Sequence, residues 1–267
     1  MTDSKIIYTA TDGVALIELN DPPANAYSYE MMQEIDRAVL AARMDDHIHV
    51  ILLTGAGEKF FCAGANIRML KDATPVFKYY FCLHANETLN RLEQTSKLVI
   101  AGLNGHTVGG GLEVAMAADL RIARQGAGKI GLPEVALGVL PGTGGTQRLA
   151  RLVGKARAIE LLASGTLLSF EEARDIALVN HVWGETELKG RAFREALIDY
   201  ARQFTPPHRA SKAVGHIKRA VQSGLEMSFA EGLALERELQ QRLFESDDAR
   251  EGIAANLEKR KPHFTGH

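Results

Sequence analysis

The sequence predicts an α/β fold that gives way to an all-helical C-terminal region, on three observations. Residues 50–54, 97–102 and 120–123 are short apolar runs, the first followed by Gly55 and the second closing on Gly102, as expected of strands buried on both faces. Segments with apolar residues at helical spacing alternate with them. Beyond Pro206-Pro207 only the helical pattern remains.

In chain order, residues 5–10 and 14–19 are β-rich runs around Thr11-Asp12-Gly13, a hairpin signal. After the turn-rich Asn20-Asp21-Pro22-Pro23-Ala24-Asn25, residues 29–43 place Met32, Ile35 and Val39 on one helical face. Ser169 and Glu172 predict a capping box ahead of a helix over 173–179. Residues 191–204 read as a helix stopped by the two prolines. Helices over 210–222, 229–244 and 248–259 follow, with Phe229, Leu233, Leu239 and Leu243 close to one face. A boundary near residue 205 divides the chain into a catalytic core, 1–204, and a helical region, 205–267.

The 267 residues are 46% hydrophobic and 24% charged, enough to bury a full core. A formal charge of −2, with basic and acidic residues interspersed, gives no electrostatic footprint for nucleic acid or an anionic membrane. Cys62 and Cys82, the only cysteines, lie in apolar surroundings, so a reducing compartment is expected rather than a disulfide framework. The stretch Met1-Thr2-Asp3-Ser4-Lys5-Ile6-Ile7-Tyr8 has neither a signal-peptide core nor an Arg-rich presequence, and no apolar run approaches the roughly 18 residues of a membrane span. A soluble cytoplasmic protein is the expectation.

The chemistry concentrates in one stretch. Gly109-Gly110-Gly111 follows an apolar strand and opens a helix that carries Glu113. Leu132-Pro133-Glu134 comes soon after, then Gly142-Thr143-Gly144-Gly145. Glycines at a helix start leave N–H groups unpaired and let a ligand reach them, which suits partial negative charge on oxygen. A second place of this kind is Phe61-Cys62-Ala63-Gly64-Ala65-Asn66-Ile67, again after a buried strand. Two glutamates beside bare backbone supply proton carriers and donors for a nascent anion. Read singly, each glutamate also fits a helix-dipole partner or an ordinary turn residue, and the glycines also fit tight strand–helix packing.

The segments Phe61 to Ile67, Asn104-Gly105 with Gly109-Gly110-Gly111-Leu112-Glu113, and Leu132-Pro133-Glu134 with Gly138-Val139-Leu140-Pro141-Gly142-Thr143-Gly144-Gly145-Thr146-Gln147-Arg148-Leu149 together resemble the crotonase family. Within it they are closest to enoyl-CoA hydratases. The likeness runs nearly end to end, including Asp248-Ala249-Arg250-Glu251-Gly252 and Glu258-Lys259-Arg260-Lys261-Pro262.

This resemblance implies a spiral of ββα repeats followed by helices that assemble trimers, commonly paired into hexamers. It implies an acyl-CoA thioester substrate whose carbonyl oxygen is held by the backbone N–H groups of Ala65 and Gly110. Glu113 and Glu134 match the hydratase carboxylates, Glu113 activating water and Glu134 protonating Cα. Ala63 and the run Ala65-Asn66-Ile67-Arg68 match backbone that contacts CoA. No metal or separate cofactor is implied, CoA being part of the substrate. Adding water across a 2-enoyl thioester needs such a pair, and one of two carboxyls sharing a desolvated pocket should show a raised pKa. The alternatives are an enoyl-CoA isomerase, which can work with one glutamate, another acyl-CoA lyase or hydrolase on the same scaffold, and a non-catalytic acyl-CoA- or RNA-binding relative.

The chain departs from the family pattern in places. Asn66 stands where Asp is usual, and Ile130 replaces a common Phe. The turn Arg124-Gln125-Gly126-Ala127-Gly128 is a residue longer than in typical hydratases, which would move Glu134 unless the loop absorbs it. Tyr27 and Phe77-Lys78-Tyr79-Tyr80 lie where the family's acyl pocket varies. His106 reads as a loop residue rather than a base, and His47-x-His49 lacks a third metal ligand. Gln147 occupies the third glycine position of a dinucleotide loop, and there is neither a Walker A sequence nor a Gly-x-Ser-x-Gly elbow.

Overall fold

The computed structural model describes residues 4–267. The reading of the N-terminus as leaderless therefore rests in part on residues 1–3, which lie outside the described residues. Strands β1 (Ile6–Thr11) and β2 (Val14–Leu19) form the expected antiparallel hairpin. Helix α1 (Tyr29–Met44) follows, capped by Ser28, and leads to β3 (Val50–Gly55).

Three ββα turns come next. The first is β3, β4 (Phe60–Cys62), α2 (Ile67–Lys71) and α3 (Pro75–Glu93). The second is β5 (Leu98–Leu103), β6 (His106–Val108) and α4 (Gly110–Met116). The third is β7 (Leu120–Arg124), β8 (Ile130–Gly131), a 3₁₀ turn over Glu134–Leu137, and α5 (Gly145–Val153) with α6 (Lys155–Ser164). Then come α7 (Phe170–Asp175), β9 (His181–Trp183), α8 (Glu185–Leu188) and α9 (Phe193–Arg202). The chain ends in α10 (Ser211–Gly224), α11 (Phe229–Phe244) and α12 (Asp247–Leu257).

The larger sheet has six strands in the order β1-β2-β3-β5-β7-β9, parallel except for the β1–β2 pair, with the three-residue β9 at its edge. The other short strands form a second, parallel sheet, β4-β6-β8. This is the spiral of ββα repeats.

The larger sheet is apolar on both faces because both are covered. Ile51, Leu53, Val99, Ala101 and Leu103 point into a core shared with α1, α3 and α4. Val14, Leu16, Val50, Leu52 and Ile100 face Phe193, Leu197 and Ala201 of α9. Asn104 bridges the two sheets: its side-chain carbonyl accepts from the Gly55 N–H of β3 at 3.0 Å, and its side-chain amide donates to Phe60 O of β4 at 3.2 Å.

One expectation is corrected, and one strand is new. The Ser169–Glu172 capping box forms, but the helix it opens spans Phe170–Asp175 rather than 173–179. Ala177 adopts φ 61°, ending the helical path so that the chain can turn into β9. Strand β9, three residues on the sheet edge beside β7, is absent from the sequence reading.

Helix α10 is fastened to the core by a buried ion pair. Lys218 Nζ lies 2.9 Å from Asp119 and donates to Lys97 O at 3.0 Å, while Asp119 accepts the Val99 N–H. Burial pulls the Lys218 ammonium down and the Asp119 carboxyl up. Lys218→Met would strand a buried carboxylate, so it should cost about 3–5 kcal/mol in urea unfolding. A loss within about 1 kcal/mol would show the pair to be dispensable.

Candidate active site

The small sheet positions the site. Its parallel strands end side by side, so the loops that follow β4, β6 and β8 leave the same edge, where ligands collect in sheets of this kind. Those loops carry Ala63 to Asn66, Gly109-Gly110, and Pro133-Glu134.

The first two loops touch. Gly64 adopts φ +87°, and a Cβ placed on it would lie 3.0 Å from the Gly110 nitrogen and 3.1 Å from Val108 O. Only glycine allows both that backbone and that approach. Tyr27 brackets the first loop: its N–H donates to Gly64 O and its carbonyl accepts from the Asn66 N–H, both at 2.9 Å. Between these bonds the Ala65 N–H is left over, and so is the Gly110 N–H at the start of α4; among the described residues neither has a hydrogen-bond partner. Asn66, in place of Asp, caps α2 by accepting from the Arg68 and Met69 N–H groups at 3.0 and 3.2 Å. Ala63 donates to Ala24 O, whereas Ile67 and Arg68 are exposed beside it.

Glu113 is 2% exposed. Its Oε1 accepts from the Thr143 and Gly145 N–H groups, both at 2.7 Å, and its Oε2 from the Thr143 hydroxyl. Sequence reasoning quoted Gly142-Thr143-Gly144-Gly145 as glycine-rich backbone but gave Thr143 no role. The signal was there: a hydroxyl residue between glycines, at a turn, within reach of a carboxylate.

Glu134 begins the 3₁₀ turn and reaches back to the second loop, its Oε1 3.0 Å from where a Cβ on Gly109 would stand. Its Oε2 is buried and without a partner. Burial, helped by the charge of Glu113 and opposed by its own N–H and Lys78, pushes its pKa up to about 7. The two carboxyls therefore have contrasting surroundings, one clamped by donors and one bare. With the longer turn after Arg124 in place, Glu134 still reaches the Gly109 loop. Gly126 at φ +66° closes that turn, and the Lys129 N–H donates to His106 Nδ1 at 3.1 Å; His106 opens strand β6 rather than lying in a loop, its imidazole occupied by this bond.

Glu134 holds a proton in the folded protein that the unfolded chain releases from its ordinary pKa of 4.5 upward. Stability tied to this group is thus lost as pH rises from 4.5 to about 7. Glu134→Gln should raise Tm more at pH 8 than at pH 4.5; equal shifts at both pH values would contradict a raised pKa.

Beside the carboxyls, Tyr27, Phe81 and Phe77 form a stacked row with centroids 5.8 and 6.2 Å apart. Tyr79 and Tyr80 point outward, 65% and 61% exposed, so they do not join it. Cys62 is free and buried, its thiol pushed up to about 12 by burial, and so is chemically quiet. Among the described residues no cluster of three or more His, Cys, Asp or Glu could hold a metal, and no helix is long and apolar enough to cross a membrane. A cleft of about 1230 Å³ lies behind the Pro141–Gly144 turn, between α3, α5 and α10, and none of the candidate residues lines it.

The chain is similar to known proteins over nearly its whole length. The chain is 36% identical to the short-chain-enoyl-CoA hydratase of Clostridium acetobutylicum, over 97% of this chain and 96% of that one. It is 35% identical to the crotonyl-CoA hydratase of Syntrophomonas wolfei, over 99% of each. The crystal structure of an enoyl-CoA hydratase from Geobacillus kaustophilus superposes with a TM-score of 0.94 at 44% identity, covering 100% of this chain and 98% of that one. The family model for enoyl-CoA hydratase/isomerase matches residues 9–267, and with the ββα spiral it shows that the chain belongs to the enoyl-CoA hydratase/isomerase family.

Proposed function

We propose that the protein is an enoyl-CoA hydratase, adding water across the C2=C3 bond of a 2-enoyl-CoA to give a 3-hydroxyacyl-CoA. The observation that carries this reading is the contrast between the two carboxyls, set beside two unpaired N–H groups. Glu113, oriented by the Thr143 and Gly145 N–H groups, serves as the base; Glu134, its Oε2 without a partner and its pKa raised to about 7, carries a proton to give.

The thioester carbonyl sits between the Ala65 and Gly110 N–H groups, which stabilise the enolate as charge moves onto oxygen. Glu113 removes a proton from water as its oxygen bonds to Cβ, and Glu134 delivers a proton to Cα. Glu113 ends protonated and Glu134 ionised, and proton exchange resets them. The chemistry calls for no metal or redox group. The CoA moiety runs along Ala63 and the stretch Ala65-Asn66-Ile67-Arg68, at the open end of the site. Its free cysteines fit a cytoplasmic setting, and 2-enoyl-CoA chemistry fits fatty-acid β-oxidation.

Isomerisation is the second reading, since the family includes it and one glutamate suffices for moving a proton between carbons. Mixing the protein with crotonyl-CoA and following the conjugated thioester absorbance separates the two. Loss of absorbance supports hydration; no loss, with conversion of a 3-enoyl-CoA, supports isomerisation.

The region 205–267 is the assembly region of a homotrimer or a dimer of trimers. Val221, Leu225 and Phe229 around the α10–α11 corner are 61%, 80% and 82% exposed, an apolar surface that copies of the chain would cover. Light scattering should give a multiple of 29.1 kDa, and a lone 29.1 kDa species would contradict it.

A further inference from the structure

Tyr27 has no part in the steps above, yet it touches both oxyanion loops and the Thr143 turn that holds Glu113. Its backbone brackets Ala65. Its hydroxyl lies so close to Gly110 that a Cβ there would collide with it, and it stands 3.3 Å from Thr143 Oγ1. The direction of that last bond follows from proton counting. Thr143 has one hydroxyl proton, and an ionised Glu113 can only accept it. Tyr27 must then donate to Thr143, which donates to Glu113. The phenol is 2% exposed; burial, then the charge of Glu113, raises its pKa well above the ordinary value, so it remains a donor.

We propose that Tyr27 is a positioning residue, whose hydroxyl acts through Thr143 to hold the Glu113 carboxylate aimed at the attacking water. A donor chain of this kind strengthens each bond by polarising the next. The proposal rests on the hydratase reading for its chemistry, but the hydrogen-bond chain can be tested apart from turnover. The competing role is packing, because the ring stacks on Phe81. Tyr27→Phe keeps that ring and removes only the hydroxyl. The titratable groups facing the chain are Glu113 on α4, Glu134 after β8, Cys62 on β4, and Lys78 and Cys82 on α3.

The experiment follows the Glu113 carboxyl by ¹³C NMR titration in protein labelled at its glutamate carboxyls, with Glu113→Gln to assign the signal. Tyr27→Phe should raise the Glu113 midpoint by about half a pH unit, since Thr143 then loses the donor that polarises its own bond to the carboxylate. In a Thr143→Val background the same change should add nothing, because the link is already cut. In turnover, kcat on crotonyl-CoA should fall about tenfold with KM nearly unchanged. An unmoved midpoint, or an equal shift in both backgrounds, overturns the proposal. Failure of the parent to hydrate crotonyl-CoA would instead remove the hydratase reading, and the titration would still decide whether Tyr27 acts on Glu113.

Discussion

Glu113→Gln should slow crotonyl-CoA hydration by about 10²–10⁴-fold while leaving the protein folded. The glutamine can fit because its single oxygen keeps both N–H bonds from Thr143 and Gly145, and its amide nitrogen can donate to the Thr143 hydroxyl, reversing that one bond. What it cannot do is take a proton from water. Glu134→Gln should bring a loss of similar size for the opposite reason, having no acidic proton for Cα. The pH profiles should also differ. Glu134 must be protonated to act, so kcat/KM of the parent should fall as pH rises through about 7, a limb that Glu134→Gln should lack. Turnover within tenfold of the parent would remove the substituted residue from the mechanism.

Gly64→Ala should be nearly as damaging without altering a single group that touches a proton. Its methyl would press on the Gly110 nitrogen and Val108 O from a backbone at φ +87°, forcing the Ala65 and Gly110 loops apart. Losing the grip of one N–H on an oxyanion costs about 10²–10³ in kcat. Because charge reaches the carbonyl oxygen only as the transition state forms, kcat should suffer more than KM. A variant that folds and turns over at the parental rate would show that the two loops need not converge.

The residues behind both predictions were legible in the sequence. Glu113 and Glu134 stood out beside glycine-rich backbone, the family resemblance pointed to Ala65 and Gly110, and the structure brings all four near the carboxyl ends of β4, β6 and β8. The larger strands were readable too, since burial on both faces leaves continuous apolar runs such as Val50–Gly55. The small sheet was not. Strands of two or three residues, such as Ile130–Gly131, are too short to show any period, and only their neighbours reveal them. The nineteen-residue α3 also escaped as an element, although Thr74-Pro75 is a helix-start signal. Its apolar residues are scattered because one side meets the core and the other the site. Thr143 and Tyr27, 116 positions apart in sequence, meet only once the chain has coiled through three ββα turns.

The most direct test is the infrared difference spectrum of crotonyl-CoA carrying ¹³C at its carbonyl, bound to Glu113→Gln so that it is not consumed. The account predicts a carbonyl stretch moved to lower wavenumber by the two N–H donors, and much of that shift lost when Gly64→Ala is added. A bound carbonyl vibrating as it does in free solution would contradict it.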